Sequence, residues 1–152
     1  MASQIGNLGK NFEGLVKLIG SYEDLLDTAK GHLALKGKTL GQANKDQMEV
    51  YEFDERLSEL NILSKHMQAH VDKVRAERAR FIKDNGGLAW SERYLDKIID
   101  STPEFLRINE LYLEVEDMKG KYQAVIEAFK TRGFVLRNLN EAKAKSFEND
   151  QL

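Results

Sequence analysis

The chain has 152 residues, is 41% hydrophobic and 32% charged, and carries one proline and a formal net charge of −2. That composition suits one compact domain or one extended helical unit, and it favours long charged helices over a loop-rich globule. With no cysteine, disulfides, thiolate metal sites and cysteine nucleophiles are excluded, which fits a reducing compartment.

The first twenty residues, MASQIGNLGKNFEGLVKLIG, are interrupted by Asn11, Glu13 and Lys17 and form no apolar core of a signal peptide. No run is long enough to span a bilayer, so the expectation is a soluble, cytoplasmic protein with no membrane partner. Seven of the eleven glycines precede residue 42. Phe12, Leu15, Val16, Ile19, Leu26, Ala29 and Leu33 nevertheless keep helical spacing. They predict one amphipathic helix of modest stability, because each interior glycine costs about 1 kcal/mol relative to alanine. The stretch KGKTLGQANKD (36–46) reads as a linker.

From about Asp46 to Lys83 the pattern is regular. Val50, Phe53, Leu57, Leu60, Ser64, Met67, Val71, Val74, Arg78 and Phe81 alternate in steps of three and four, a heptad seam. DNGG (84–87) ends it, with residues suited to a left-handed cap. A short helix follows Ser91. Thr102 and Pro103 then open another, as cap and first helical residue. It carries Ile108, Leu111, Val115, Met118, Tyr122, Val125 and Phe129 on its apolar stripe. Arg132-Gly133 predicts a break, after which FVLRNLNEAKAKSFE resumes as a C-terminal helix. The expected fold is all-α: a long, coiled-coil-like helical hairpin with an additional N-terminal amphipathic helix and a C-terminal helix. Residues 1–44 form the Gly-rich helix and linker, and 45–152 the hairpin core with its C-terminal segment.

Charge is segregated along these helices. Residues 46–59 hold Asp46, Glu49, Glu52, Asp54, Glu55 and Glu59 against Arg56 alone. Residues 65–83 hold Lys65, Lys73, Arg75, Arg78, Arg80 and Lys83 against Asp72 and Glu77. A second basic cluster, 119–145, includes Lys130, Arg132 and Arg137. The small net charge therefore conceals a dipolar chain, and local sign decides what a polyanion meets. Lys65, Lys73, Arg80 and Lys83 share one arc away from the seam. A solvated face is the ordinary meaning of such a cluster, but the scarcity of acids here favours binding. Arg78 occupies a seam position, where a charge is costly unless paired; the other option is a seam that opens near DNGG and presents Arg78 outward. Phe81 reads as seam packing before it reads as a base-stacking platform.

Other motifs carry less. GHLALKGKT (31–39) has five residues between its glycines where a phosphate loop needs four, and no strand precedes it. His66 and His70 are four apart on a helix, a zinc-capable geometry, but no third ligand accompanies them. Trp90 and the tyrosines read as core or interface residues. No acid/base pair or nucleophile emerges, so neither an enzyme nor a metal or cofactor is expected.

The stretches KVRAERARF, RYLDKIID and EFLRINELYLEVEDMKGKYQAVIEAFKTRGFVLRNLNEAK resemble the UvsY family of phage recombination mediators. The basic element falls on Arg78-Ala79-Arg80, and the later element on Lys130-Thr131-Arg132-Gly133-Phe134. The likeness spans 71–145, about half the chain, and its most persuasive feature is the spacing from Glu104-Phe105-Leu106-Arg107-Ile108 to Arg132-Gly133-Phe134. Where that family carries paired tyrosines after the basic element, this chain reads Phe81-Ile82-Lys83. The resemblance implies a non-enzymatic homo-oligomer in the phage-infected cell. Such a protein binds single-stranded DNA, helps displace single-strand-binding protein and loads a UvsX-type recombinase. It would make Arg78 and Arg80 the DNA-contacting pair, and Phe134, Leu136 and Leu139, beyond Gly133, part of the oligomerisation element. The heptads are equally compatible with a coiled-coil scaffolding protein that binds no nucleic acid. A third reading is peripheral membrane binding through the N-terminal helix.

Overall fold

Two long apolar stripes at three–four spacing require two long helices that bury them against each other. In the computed structural model, which describes residues 12–33, 39–85 and 90–149, this is what forms. The elements are α1 (Phe12–His32), α2 (Thr39–Asp84), α3 (Glu92–Asp100) and α4 (Pro103–Asn149). Among the described residues there is no strand, and α2 and α4 pair as a helical hairpin. Expectations for residues 1–11, for 36–38 of the linker and for the Gly86-Gly87 cap lie outside the described residues.

The chain divides into two compact units. The first takes 12–19 of α1, 60–84 of α2, all of α3 and 103–117 of α4. Its core joins Val71 and Val74 to Ile99 and Phe105, with Ala79, Ile82, Ile108 and Tyr112 packed against them. Here Ser64 Oγ of α2 bonds Glu116 of α4, and Arg78 bonds Glu104. The second unit takes 20–32, 39–59 and 118–149. Its core is aromatic: Phe53 lies 5.3 Å from Tyr122 and 6.0 Å from Phe129, ring centre to ring centre, and Tyr22 meets Tyr122 edge-on at 5.8 Å. In the first unit Ser64 and Arg78 of α2 meet Glu116 and Glu104 of α4, and in the second Asp46 and Phe53 meet Arg132 and Tyr122, so within each unit the pairing is antiparallel.

Two boundaries and one packing position differ from the sequence expectation. The helix expected from Asp46 starts at Thr39. Gln42 Nε2 donates to Asp46 at 3.3 Å across that first stretch, and one glycine among helix formers is too small a penalty to break it. The break expected at Arg132-Gly133 is absent, and α4 runs through it to Asn149. Phe81 does not pack in the seam; it is 60% exposed, and Ile82 turns inward instead. Two other signals place elements correctly. Pro103 begins α4, with Thr102 before it donating its hydroxyl back to the Ile99 carbonyl at 2.7 Å. Asp84 ends α2, where the Asn85 side chain donates to the Phe81 carbonyl at 2.7 Å.

Candidate nucleic-acid interface

The six candidate cations of α2 all lie in the first unit, and the fold separates them into two groups. Lys65, Lys73, Arg80 and Lys83 are exposed, along about 27 Å of helix axis at 1.5 Å per residue. Lys73 sits 3.8 Å from Glu77 with both side chains well exposed, an arrangement of little strength. Arg75 and Arg78 turn towards α3 and the start of α4. Arg75 donates to Asp100 and lies 5.1 Å over the Phe105 ring, with its Nε shielded and without a hydrogen-bond partner. Arg78 donates to Glu104 through both Nε, at 3.0 Å, and Nη2. The seam charge is thus paired and half-buried, and the expected Arg78/Arg80 pair is divided between an ion pair and open solvent.

A groove of about 390 Å³ runs between α2 and α3, and in it Arg75 and Lys83 share walls with Glu92 and Asp96. The near absence of acids read from residues 65–83 therefore does not carry into three dimensions. Glu92, Asp96, Asp100 and Glu104 bring carboxylates to this end of α2 at intervals of four residues. For Glu92, Asp96 and Asp100 that spacing was the available signal, because side chains four apart share a helix face; Glu104 belongs to α4 and arrives through the turn that separates the two helices.

In the second unit, Lys130 and Arg137 are exposed and border a cleft of about 240 Å³ beside Gly133. Arg132 is different. Its Nε donates to Asp46 Oδ2 at 2.9 Å, its Nη2 to Asp46 Oδ1, and its Nη1 to the His32 carbonyl at 2.7 Å. The guanidinium also lies 5.2 Å over the Phe129 ring. The two side chains of this pair are only 10% and 3% exposed, so Arg132 ties α1, α2 and α4 together within the unit. Of the three residues assigned to oligomerisation, Phe134 and Leu139 are exposed whereas Leu136 is buried in its own protomer.

Tyr22 and Tyr122 of the second unit are structural. Tyr22 donates to Glu59 Oε2 at 2.8 Å, and Arg56 reaches the same oxygen at 3.0 Å. Burial first, then Glu59, holds the Tyr22 hydroxyl well above its ordinary range. Tyr122, which donates to the Tyr22 carbonyl at 3.0 Å, is pushed up to about 12 by burial. The hydrogen bond to Glu59 likewise raises Arg56. Both hydroxyls therefore stay protonated at neutral pH and serve as donors.

His66 is exposed, and His70 lines an open groove of about 450 Å³ with Lys73, Glu77, Glu104 and Arg107. Among the described residues no three His, Asp or Glu side chains gather as a metal site, and no helix is long and apolar enough to cross a membrane. Core packing accounts for Tyr22 and Tyr122. It does not account for Tyr51, Trp90 and Tyr94, which are exposed. Trp90 and Tyr94 meet edge-on at 5.2 Å beside α3. A scan against protein-family models matches no family, and searches of curated proteins and of solved structures give no match.

Proposed function

We propose that this protein is a non-enzymatic recombination mediator of UvsY type. It binds the backbone of single-stranded DNA without sequence preference and promotes loading of a UvsX-type recombinase in place of single-strand-binding protein, in the cytoplasm of a phage-infected cell. The observation that carries the reading is the exposed row Lys65, Lys73, Arg80 and Lys83 on α2. Cations of this kind bind phosphates by releasing counterions and carry no base information. Weak binding by one subunit becomes strong when an assembly presents many copies.

Assembly finds support in α4. From Arg137 to Ser146 every residue except half-buried Asn140 is exposed, although a helix this long depends on packing for most of its stability. Leu139 stands exposed on this stretch, and Phe134 just ahead of it. A partner helix from a second copy would cover it.

The test is anisotropy of a labelled mixed-sequence single strand, titrated at several salt concentrations with duplex as competitor. Tight binding that weakens steeply with salt and prefers single strands is expected. Lys65→Ala with Arg80→Ala and Lys83→Ala should remove most of it while leaving assembly intact. An absence of binding at low salt would favour the scaffolding reading. One observation speaks for that reading: Arg75 and Arg78 are engaged by Asp100 and Glu104, so part of the basic stretch serves helix packing.

A further inference from the structure

The outward side of α3 carries four residues with no structural task among the described residues. Arg93, Tyr94 and Lys97 recur at the three–four spacing that gathers side chains on one helical arc, and Trp90, ahead of the extended Ser91 that precedes α3, joins them through its ring contact with Tyr94. The opposite side is the anchor, where Leu95 and Ile99 are buried. The acids Glu92 and Asp96 line the groove towards α2, and Asp100 bonds Arg75. The α3 carboxylates thus have tasks on the side towards α2, although Asp96 and Asp100 stand three residues from Arg93 and Lys97. Arg93 and Lys97 are exposed and make no ion pair among the described residues. Trp90 is 44% and Tyr94 52% exposed. Their edge-on packing, with an interplanar angle of 84°, fixes the two rings against each other and leaves aromatic surface open to a third ring.

We propose that this face of α3 is a contact surface for single-stranded nucleic acid, at which unpaired bases stack on Tyr94 and Trp90 while flanking phosphates sit on Arg93 and Lys97. The inference rests on the single-strand-binding reading and adds a base-contacting element to it. The cations of α2 attract any phosphate chain, duplex included. Stacking platforms reward only bases that are free of a duplex, and they tolerate any sequence because every base has a flat face. A pair of exposed cations that make no ion pair among the described residues, beside two exposed rings, complements such a strand in both charge and surface. Since Ile99 belongs to the core with Val71, Val74 and Phe105, the platform is held by packing and needs little ordering on binding.

Trp90 is the only tryptophan in the chain, so its emission reports on this face directly. The full-length protein is titrated with an oligothymidylate and with an abasic deoxyribose-phosphate chain of equal length, while anisotropy of labelled strands is followed in parallel. Saturable quenching by the oligothymidylate, and none by the abasic chain, is expected. Tyr94→Ala should bind the single strand at least about fivefold more weakly, the low end for one lost stacking interaction. Arg93→Gln with Lys97→Gln should lower the slope of log affinity against log salt by about 0.7 for each cation removed. Far-ultraviolet melting checks that the variants keep their helices. Strand binding with unchanged emission and unchanged Tyr94→Ala affinity would overturn the α3 surface and leave the mediator reading standing. No strand binding by either readout would overturn both. Emission changed by anionic phospholipid vesicles but not by the strand would assign the face to a membrane surface and overturn the proposal.

Discussion

At the scale of single residues, the clearest change of meaning concerns Arg132. In the sequence it is one cation of a basic run; in the fold it is a buried guanidinium satisfied by Asp46 and the His32 carbonyl. Arg132→Ala would leave buried Asp46 without its cationic partner, with only the Gln42 amide donating to it, and breaking such a pair typically costs about 3–5 kcal/mol. Urea denaturation of Arg132→Ala should show that loss, and replacing both partners at once (Arg132→Met with Asp46→Leu) should recover much of it. DNA binding lost in Arg132→Ala would therefore report unfolding before it reported a phosphate contact. The tyrosines give a second prediction. Free tyrosine titrates at 10.0, and Tyr122 in the fold is pushed up to about 12. Above pH 10 the unfolded chain loses these protons first, so the folded state holds more of them and stability falls as pH rises. Stability should be insensitive to these groups below pH 10 and decline as pH climbs towards 12. Denaturation midpoints of Tyr22→Phe with Tyr122→Phe should decline less over that interval.

At the scale of elements, the helices obey packing more than local punctuation. Gly133 follows an arginine fixed by three hydrogen bonds, and α4 passes through it without a break. A side-chain carbon added at Gly133 or at Gly120 would meet nothing within 4 Å. Gly133→Ala and Gly120→Ala should therefore each stabilise the protein by about 0.5–1 kcal/mol, through the lower entropy of the unfolded chain and the better helix propensity. Lower stability in Gly133→Ala would show that the glycine is needed as a joint after all. Phe81 illustrates the other limit of pattern reading. A straight helix drifts by about 20° per heptad from an ideal seven-residue repeat. Phe81 lies 28 residues beyond Phe53, so it is carried about 80° off the seam. Ile82 comes inward, and Phe81 is left in solvent.

At the scale of the whole molecule, the prediction concerns assembly. The chain weighs 17.4 kDa, and light scattering should return a multiple of that mass. Phe134→Glu with Leu139→Glu places two carboxylates on the exposed end of α4 and should yield smaller species with unchanged helix content. Strand affinity should fall with assembly size, because many weak phosphate contacts act together only when subunits are joined. An unchanged mass would remove the assembly role of these two residues. Leu136 belongs in neither test as a surface residue, since it is 2% exposed within its own protomer.

The helical class, the paired long helices and the start of α4 at Pro103 were all legible in the order of the residues. Each depends on apolar periodicity or on proline geometry, which are local and survive without knowledge of neighbours. The sequence also located the two basic stretches, since charge runs are read directly. Which cations remain available is set by packing between distant parts of the chain. Arg75, Arg78 and Arg132 meet acids 25, 26 and 86 positions away in the chain, and no local pattern records such distances. The same holds for Trp90 and Tyr94. Their composition suited a core, but a core needs opposing surface to fill, and Leu95 and Ile99 already take the inward side of α3.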